Sequence, residues 1–309
     1  MRRIYALVLL MIVLLLAACG GEESIDGAKP TIKIGYLPIT HAVPLYMQAA
    51  TTYDDYQLEL VKFGSWPELM DALNTGAVDG ASVLIQLAMN AKEKGIDLKA
   101  VALGHRDGNV LIGGNDIRAV EDLKGKSFAI PSRFSTHNIL LYEMLEKHGI
   151  QYDEVDVIEL PPAEMPAALA EGRIAGYVVA EPFGAMSVAL ENGTVLYQSD
   201  EIWQDSIDCG LVLRGQFIEK NKELVQSFMD DYVAGGELAE QKDNHTHEVV
   251  GKYLTVEKEV LDLSLAWISY DNLKIQEENY TILRDALTTM GLSENPPIYE
   301  EFVDASFVK

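Results

Sequence analysis

The chain has 309 residues, with 48 acidic and 24 basic side chains, a formal net charge of −24 and two cysteines. This length predicts two domains, because a domain usually takes about 100–200 residues. The hydrophobic fraction of 48% excludes a chain that is disordered throughout. The shortage of Lys and Arg argues against nucleic-acid binding, since a phosphate backbone is bound by clustered cations.

The first residues have the features of an export signal. Two arginines precede an apolar run over residues 7–16, and the run ends in Leu-Ala-Ala-Cys. A basic start, a short apolar stretch and small residues before a cleavage point predict a signal peptide over residues 1–18. A Cys directly after Leu-Ala-Ala resembles the lipobox of bacterial lipoproteins, which implies lipidation of Cys19. A plain signal peptide or an anchor helix is the alternative. We therefore expect an extracytoplasmic protein that is lipid-anchored to the bacterial cell membrane.

Residues 19–30 are predicted to be a lipidated tether, because the small and acidic residues after Cys19 favour a flexible chain. If Cys19 carries lipid, Cys209 has no partner, so we expect no disulfide within the chain. Cys209 lies in an apolar run, which predicts a buried rather than a nucleophilic thiol.

From residue 31 the chain alternates between apolar runs typical of strands and amphipathic segments typical of helices. Predicted strands cover residues 32–37, 58–63, 78–83, 98–103, 127–130, 155–160, 175–179 and 209–213. Helices are predicted between most of these strands, and helical segments over 224–238, 256–265 and 275–290 complete the chain. This alternation predicts parallel sheets with helices on both faces.

The predicted fold class is α/β with two lobes, each a mainly parallel sheet flanked by helices. Ligands of open α/β sheets bind beyond the carboxyl ends of the strands, which places the ligand in the cleft between the lobes. We predict a discontinuous lobe 1 of residues 31–113 and 209–309 with the C-terminal helices, and a lobe 2 of residues 114–208.

Polar side chains concentrate in the loops that follow the predicted strands. Three of the six histidines and two of the few arginines lie there. Because these loops meet at one edge of each sheet, they predict one shared binding site. The candidate lining residues are Thr40, His41, Trp66, Ser82, His105, Arg106, Arg133, Ser135, Thr136, His137 and Glu181.

The segment 132–138 is the strongest single element of this site. A Ser/Thr-rich turn that opens a helix presents unpaired backbone N–H groups, and the helix dipole adds positive potential. Arg133 can bind a sulfonate, phosphate or carboxylate through two N–H groups, and His137 can donate to an oxygen. The alternative is an ordinary N-cap at Ser135 beside an exposed arginine.

Three further alternatives stay open for these residues. Trp66 can form an apolar wall for the ligand or pack on the lobe surface, and Glu181 can cap its own helix or bridge the lobes. His41, His105, His137 and Glu181 offer the nitrogen and oxygen ligands that zinc takes. They are scattered along the chain without an HExxH spacing, so we predict no bound metal and no cofactor. The motifs GxSxG, Walker A, GxGxxG and CxxC are also absent from the sequence, so we expect no enzyme.

Several segments carry a resemblance to a known family. They are the lipobox, TIKIGYLPITHAVPLYMQAA (31–50), SRFSTHNILL (132–141) and AGYVVAEPFGAM (175–186). Together they resemble the solute-binding proteins of ABC importers, in the nitrate/sulfonate/taurine/bicarbonate group with its sister branch for thiamine-pyrimidine precursors. The resemblance implies a two-lobed periplasmic-binding-protein fold of type II that closes on its ligand. It also implies a monomer that captures a small solute and delivers it to ABC permease and ATPase subunits.

The resemblance also carries one residue role. In the nitrate and bicarbonate members a histidine after threonine contacts the anion, which implies this role for His137. The Gly-Gly that precedes Thr-His in those members is replaced here by Phe134-Ser135, which favours a larger or differently shaped ligand. We therefore expect a small anionic, sulfonate-like or nitrate-like solute. A thiamine-pyrimidine-like heterocycle, a metal ion, or a small-molecule enzyme that uses the cleft are the alternatives.

Overall fold

The computed structural model describes residues 29–308. The predicted signal peptide, Cys19 and the tether as far as residue 28 lie outside this range. Within it, no helix has both the length and the apolar character that crossing a bilayer requires.

Strands occupy the positions at which the short apolar runs predict them. The strands in residues 29–308 are β1 (Thr31–Tyr36), β2 (Gln57–Lys62), β3 (Gly80–Leu84), β4 (Leu98–Leu103), β5 (Arg106–Asp107), β6 (Asn109–Gly114), β7 (Ser127–Ile130), β8 (Asp156–Glu159), β9 (Gly176–Ala180), β10 (Gly193–Gln198), β11 (Cys209–Arg214) and β12 (Ile268–Ser269).

Helices fill the segments between the strands and most of the last hundred residues. The α-helices in the described range are α1 (Val43–Ala49), α2 (Trp66–Thr75), α3 (Ile85–Glu93), α4 (Thr136–Lys147), α5 (Met165–Ala170), α6 (Phe183–Ala189), α7 (Gly215–Lys220), α8 (Lys222–Glu240), α9 (Asn244–Val250), α10 (Lys258–Ala266), α11 (Glu277–Thr289) and α12 (Tyr299–Phe302). The amphipathic segments predicted near the C-terminus correspond to α8, α10 and α11.

The first sheet has the strand order β2-β1-β3-β11-β4. Strand β1 pairs parallel with β2 and β3, whereas β11 pairs antiparallel with β3 and β4. Four strands therefore run in one direction and β11 runs against them. In β1, Ile32 and Ile34 are buried while Thr31 and Lys33 are exposed, the period of two of a strand that packs on one face.

The second sheet repeats this arrangement with the order β10-β6-β9-β7-β8. Strand β7 is parallel to β8 and β9, and β6 is antiparallel to β9 and β10. The prediction of mainly parallel sheets flanked by helices is therefore confirmed. The sequence patterns missed β6 and β10, which are short runs that contain or begin with glycine.

The chain passes from the first sheet to the second near Asp107 and Gly108, whose φ angles are 59° and 76°. Because β6 already belongs to the second sheet, the passage lies a few residues before the predicted boundary at residue 113. The division into lobes stays a prediction.

The topology brings the ends of β3 and β4 and the start of β11 to one edge of the first sheet. Strand β11 runs against β3 and β4, so its first residues lie beside the ends of those strands: Cys209 is opposite Leu84, and Gly210 is opposite Leu103. The loop after β4 and the residues that lead into β11 are therefore neighbours, although about a hundred residues separate them in sequence.

Candidate functional site

Five side chains meet at this edge, and we call them the histidine cluster: His41, His105, His137, Asp208 and Cys209. Each is buried, with at most 2% of its surface exposed. His41 lies in a short 3-10 helix after β1, His105 follows β4, and His137 lies in the first turn of α4. Asp208 lies directly before β11, and Cys209 is its first residue. The first and second sheets thus both contribute to the cluster.

The segment that carries His41 is held by hydrogen bonds from several elements. The Tyr46 hydroxyl donates to two backbone carbonyls of the loop 37–39, and the Tyr270 hydroxyl donates to the Thr40 carbonyl at 3.0 Å. The Thr40 N–H and hydroxyl both donate to the Glu181 carbonyl, at 2.9 and 3.1 Å. These bonds fix the backbone beside His41, so the imidazole has little freedom to leave the cluster.

Gly104 allows the end of β4 to approach the cluster closely. Its N–H donates to the Cys209 carbonyl at 2.9 Å. A Cβ at this position would lie 2.6 Å from the His41 carbonyl oxygen, closer than real Cβ contacts come. Glycine at residue 104 therefore allows His41, His105 and Cys209 to be neighbours.

The possible donor atoms of the cluster lie close together. His41 Nδ1 is 3.2 Å from Asp208 Oδ2 and 3.3 Å from Cys209 Sγ. His105 Nε2 lies 3.8 Å from the same Asp208 oxygen, and His137 Nδ1 lies 3.6 Å from Asp208 Oδ1. The His41 and His105 rings stack with their centroids 3.5 Å apart. Asp208 is thus in contact with all three imidazoles.

Most of these donor atoms make no hydrogen bond in the described part of the chain. This holds for Nε2 of His41 and His105, both ring nitrogens of His137, and both carboxylate oxygens of Asp208. His105 Nδ1 lies 2.7 Å from the Asp107 carbonyl. A carbonyl can only accept, so we assign the ring proton to Nδ1, which leaves the Nε2 lone pair facing Asp208. Buried polar atoms are rarely left without partners, so this concentration calls for a ligand.

Burial and neighbouring charges set the protonation of the cluster. Burial lowers the pKa of His105 well below its usual value and lowers the pKa of His137 to about 4, so both are neutral at neutral pH. Burial alone raises the pKa of Asp208, but His137 and His41 beside it lower that pKa further, below the usual range. Burial, with Asp208 nearby, raises the pKa of the Cys209 thiol. At neutral pH the cluster therefore combines the ionised carboxylate of Asp208 with the neutral imidazoles of His105 and His137.

Glu181 is buried next to the cluster, but its carboxyl group faces other partners. Oε2 accepts from the Ala185 N–H at 3.0 Å and from the Ser264 hydroxyl at 2.9 Å. Burial raises the pKa of this carboxyl to about 8. Glu181 therefore joins α6 to α10, and the carboxylate that contacts the histidines is Asp208 instead.

The two candidate arginines bind elsewhere. The Arg106 guanidinium pairs with Asp205 and lies 3.7 Å from Asp271. Arg133 is exposed, and its guanidinium donates to the Val157 carbonyl at 3.0 Å. An anion at the cluster would therefore receive no guanidinium from either residue in this conformation.

The remaining candidates have structural surroundings of their own. Ser135 caps α4, where its hydroxyl oxygen accepts from the Asn138 N–H at 3.2 Å. Ser82 is buried within β3, opposite Leu211. Trp66 lines a cavity of about 320 Å³ between α2 and the segments at 131–132 and 159–162.

Thr136 lies between the first turn of α4 and the segment before β11. Its hydroxyl donates to the Ile207 carbonyl and accepts from the Gln86 amide. These bonds hold the backbone next to Asp208. Neither Gln86 nor Asp208 was among the residues that the sequence pattern selected. The one available signal for Asp208 was its position directly before a predicted strand that returns to the first sheet.

The chain is similar to several known proteins. The chain is similar to a solved structure from Staphylococcus aureus, the ligand-binding component of an ABC-type import system with zinc bound: the two are 41% identical, with a TM-score of 0.86 over 90% of this chain and 98% of that one. It is also similar to the periplasmic nitrate-binding protein NrtA from Synechocystis, with 17% identity and a TM-score of 0.81 over 90% of this chain and 87% of that one. Among curated proteins, the nitrate/nitrite binding protein NrtA of a Nostoc species is 25% identical over 69% of this chain, and the match spans 54% of that relative.

These similarities confirm the predicted periplasmic-binding-protein fold and the resemblance to solute-binding proteins of ABC import systems. The model of the NMT1-like family matches residues 26–252, which is well over half of the 309 residues. The chain therefore belongs to the NMT1-like family.

Proposed function

We propose that this protein is the extracytoplasmic solute-binding component of an ABC import system and that it binds a divalent transition-metal cation in the histidine cluster. The observation that carries the proposal is the set of buried donor atoms without partners on His41, His105, His137 and Asp208. Neutral imidazoles and a carboxylate are ligands that such cations prefer. The zinc in the structure from Staphylococcus aureus, 41% identical to this chain, supports the same assignment.

The spacing of the donors fits a metal ion. Zinc bonds of about 2.0–2.3 Å in a tetrahedron separate neighbouring ligand atoms by about 3.3–3.8 Å. Asp208 Oδ2 lies 3.2 Å from His41 Nδ1 and 3.8 Å from His105 Nε2, which is close to these separations. The Asp107 carbonyl already orients His105 for this role, as the outer partners of metal-binding histidines do.

The metal would also connect the two sheets. His41 and His105 follow strands of the first sheet, whereas His137 belongs to the helix after β7 of the second sheet. A cation held by all three would favour the arrangement in which these residues lie together, because separating the two sheets would take ligands away from the ion. Release would then require the sheets to separate and water to replace the protein ligands.

A small anion is the second candidate, favoured by the similarity to nitrate-binding NrtA. His137 would contact the anion as the family resemblance implies. The ionised Asp208 opposes this function, because it lies 3.6 Å from His137 and would repel a negative ligand. The two candidates therefore make opposite demands on Asp208.

Binding measurements on metal-free protein would test the proposal. We expect one equivalent of Zn²⁺ by elemental analysis after reconstitution, and an increase in thermal stability on adding Zn²⁺. Asp208→Asn and His41→Ala should each lower the Zn²⁺ affinity by more than about 100-fold, since even outer partners of a metal site are worth about 10–100-fold. The matched control is His245→Ala, because His245 is exposed and lies far along the chain on α9.

The same thermal-stability measurements are made with nitrate, bicarbonate, taurine and an alkanesulfonate in the absence of metal. Stabilisation by one of these anions, together with the absence of Zn²⁺ binding, would overturn the metal proposal in favour of the anion. Tighter anion binding by Asp208→Asn would point the same way.

We propose in addition that the protein is a monomer, anchored by lipid at Cys19, that delivers its solute to permease and ATPase subunits. These assignments continue the family resemblance, and we propose no catalytic role.

A further inference from the structure

We infer that Cys209 binds the cation as a thiolate, and that the cluster therefore selects thiophilic divalent ions over those that prefer oxygen. The selected class is Zn²⁺, Cd²⁺ and Co²⁺, and the rejected class is Mg²⁺, Ca²⁺ and Mn²⁺. The inference rests on the proposed function, because it concerns the ligands of the same cation.

The first support is the position of the sulfur. Cys209 Sγ lies 3.3 Å from His41 Nδ1, and the ligand atoms of His41, His105, Asp208 and Cys209 all lie within 4.8 Å of one another. Metal–sulfur and metal–nitrogen bonds of about 2.3 and 2.0 Å place two such ligand atoms about 3.5 Å apart. The thiol therefore lies where a ligand next to His41 has to lie.

The second support is independent of the cysteine itself. The ring nitrogens of His137 and the oxygens of Asp208 are fully buried, have no hydrogen-bond partner in residues 29–308, and belong to the same cluster. Cys209 belongs to the apolar core of the first sheet, but its sulfur lies 3.3 Å from His41 Nδ1 and within 4.8 Å of the ligand atoms of His105 and Asp208.

The backbone holds the sulfur in this position. Cys209 is the first residue of β11, paired opposite Leu84, and its carbonyl accepts from the Gly104 N–H at 2.9 Å. The side chain is completely buried, and its sulfur faces His41.

The binding step is an exchange of a proton for a metal ion. The S–H bond breaks, and the sulfur electron pair forms the bond to the hydrated cation. The thiol proton passes to water, and the water molecules displaced from the cation enter the solvent. No electron is gained or lost. One positive charge leaves as two arrive, so the cluster gains one net positive charge from this step.

Cobalt substitution of the full chain tests the inference directly, because a thiolate bound to Co²⁺ gives a near-ultraviolet charge-transfer band in addition to the visible cobalt bands. We expect the wild-type protein to show both. Cys209→Ser should lose the charge-transfer band, keep the visible bands, and lose more than about 100-fold in Cd²⁺ affinity but less than about 10-fold in Mn²⁺ affinity. Cys19→Ala is the matched control, since it removes the other cysteine of the chain and should keep the band.

Two results would overturn the inference, and they differ in what they say of the proposed function. Visible cobalt bands without a charge-transfer band in the wild-type protein would show a metal site in which Cys209 is not a ligand, so the proposed function would survive. Failure of the wild-type protein to bind Co²⁺, Zn²⁺ or Cd²⁺ would overturn both. The wild-type spectrum decides the question even if Cys209→Ser does not fold.

Discussion

Replacement of Glu181 by glutamine should change how folding stability depends on pH. Glu181 is fully buried, and burial raises the pKa of its carboxyl group from an ordinary value of 4.5 to about 8. Oε2 accepts two hydrogen bonds, from the Ala185 N–H and the Ser264 hydroxyl, while Oε1 has no partner. Tyr177, the titratable neighbour on β9, has its pKa raised and stays neutral in this range. The glutamate is therefore protonated in the folded chain at neutral pH.

The direction of this pH dependence follows from the number of protons that the folded and unfolded chains bind. Between pH 4.5 and about 8 the folded chain holds a proton on Glu181 that the unfolded chain has released. The contribution of Glu181 to the free energy of unfolding is fully present below pH 4.5. It falls as the pH rises from there and is lost above about 8. The difference of about 3.5 pH units, at about 1.4 kcal/mol each, sets an upper limit of about 5 kcal/mol.

Urea denaturation at several pH values between 5 and 8.5 would measure this effect. The glutamine introduced by Glu181→Gln has an amide oxygen that can accept from Ala185 and Ser264, and it does not titrate. The stability of Glu181→Gln relative to the wild-type protein should therefore rise with pH, by a few kcal/mol across this range. Glu278→Gln is the control, because Glu278 is exposed in the first turn of α11 and its replacement should give a nearly constant difference. Parallel stability curves for Glu181→Gln and the wild-type protein would contradict a raised pKa of Glu181.

Four other substitutions test the geometry of the site. Arg133→Ala should leave Zn²⁺ affinity within about threefold of wild type, because the Arg133 guanidinium binds the Val157 carbonyl. His137→Ala should lower Zn²⁺ affinity by more than about 100-fold. Competition with a chromogenic chelator measures both affinities. Gly104→Ala should cost about 1–3 kcal/mol in urea denaturation and weaken metal binding, because its Cβ would meet the backbone of the cluster. Ser135→Ala should cost about 1 kcal/mol through loss of the cap of α4.

The arginine, histidine and glycine substitutions have outcomes that would contradict the structure. Equal loss of Zn²⁺ affinity in Arg133→Ala and His137→Ala would mean that the arginine reaches the ligand after all. For the glycine, Gly64→Ala is the control, because a Cβ there would lie at an ordinary 3.6 Å from its nearest neighbour. Stability changes of the same size in Gly64→Ala and Gly104→Ala would show that the close approach to His41 is not what matters.

Periodicity predicted the sheets well because the strands that form their centres are short apolar runs with clear ends. Strand β7 occupies the predicted residues 127–130, and α8, α10 and α11 occupy the amphipathic segments near the C-terminus. Strands β6 and β10 escaped prediction because glycines end β6 and begin β10, and glycine is depleted in strands.

The part of the candidate site that could be predicted consists of residues placed there by their position directly after a strand. His41, His105 and His137 follow β1, β4 and β7, and the topology brings all three together. The position of a residue after a strand does not determine where a long side chain points. Arg133 starts at the helix that carries His137, yet its guanidinium finds a backbone carbonyl on the neighbouring strand β8. Asp208 was missed because it precedes a strand, and only the reversed direction of β11 brings it to the same edge.

The charge of the chain has a different meaning for the two candidate solutes. A net charge of −24 raises the local concentration of cations and lowers that of anions near the protein. An anion-binding protein with this surface needs positive side chains at its site to overcome the surrounding field. The two arginines best placed in sequence for that task, Arg106 and Arg133, are instead bound to a carboxylate and to a backbone carbonyl. Asp208 adds an ionised carboxylate to the histidine cluster, so this part of the site has the same sign as the surface, and a cation is the ligand that both would attract.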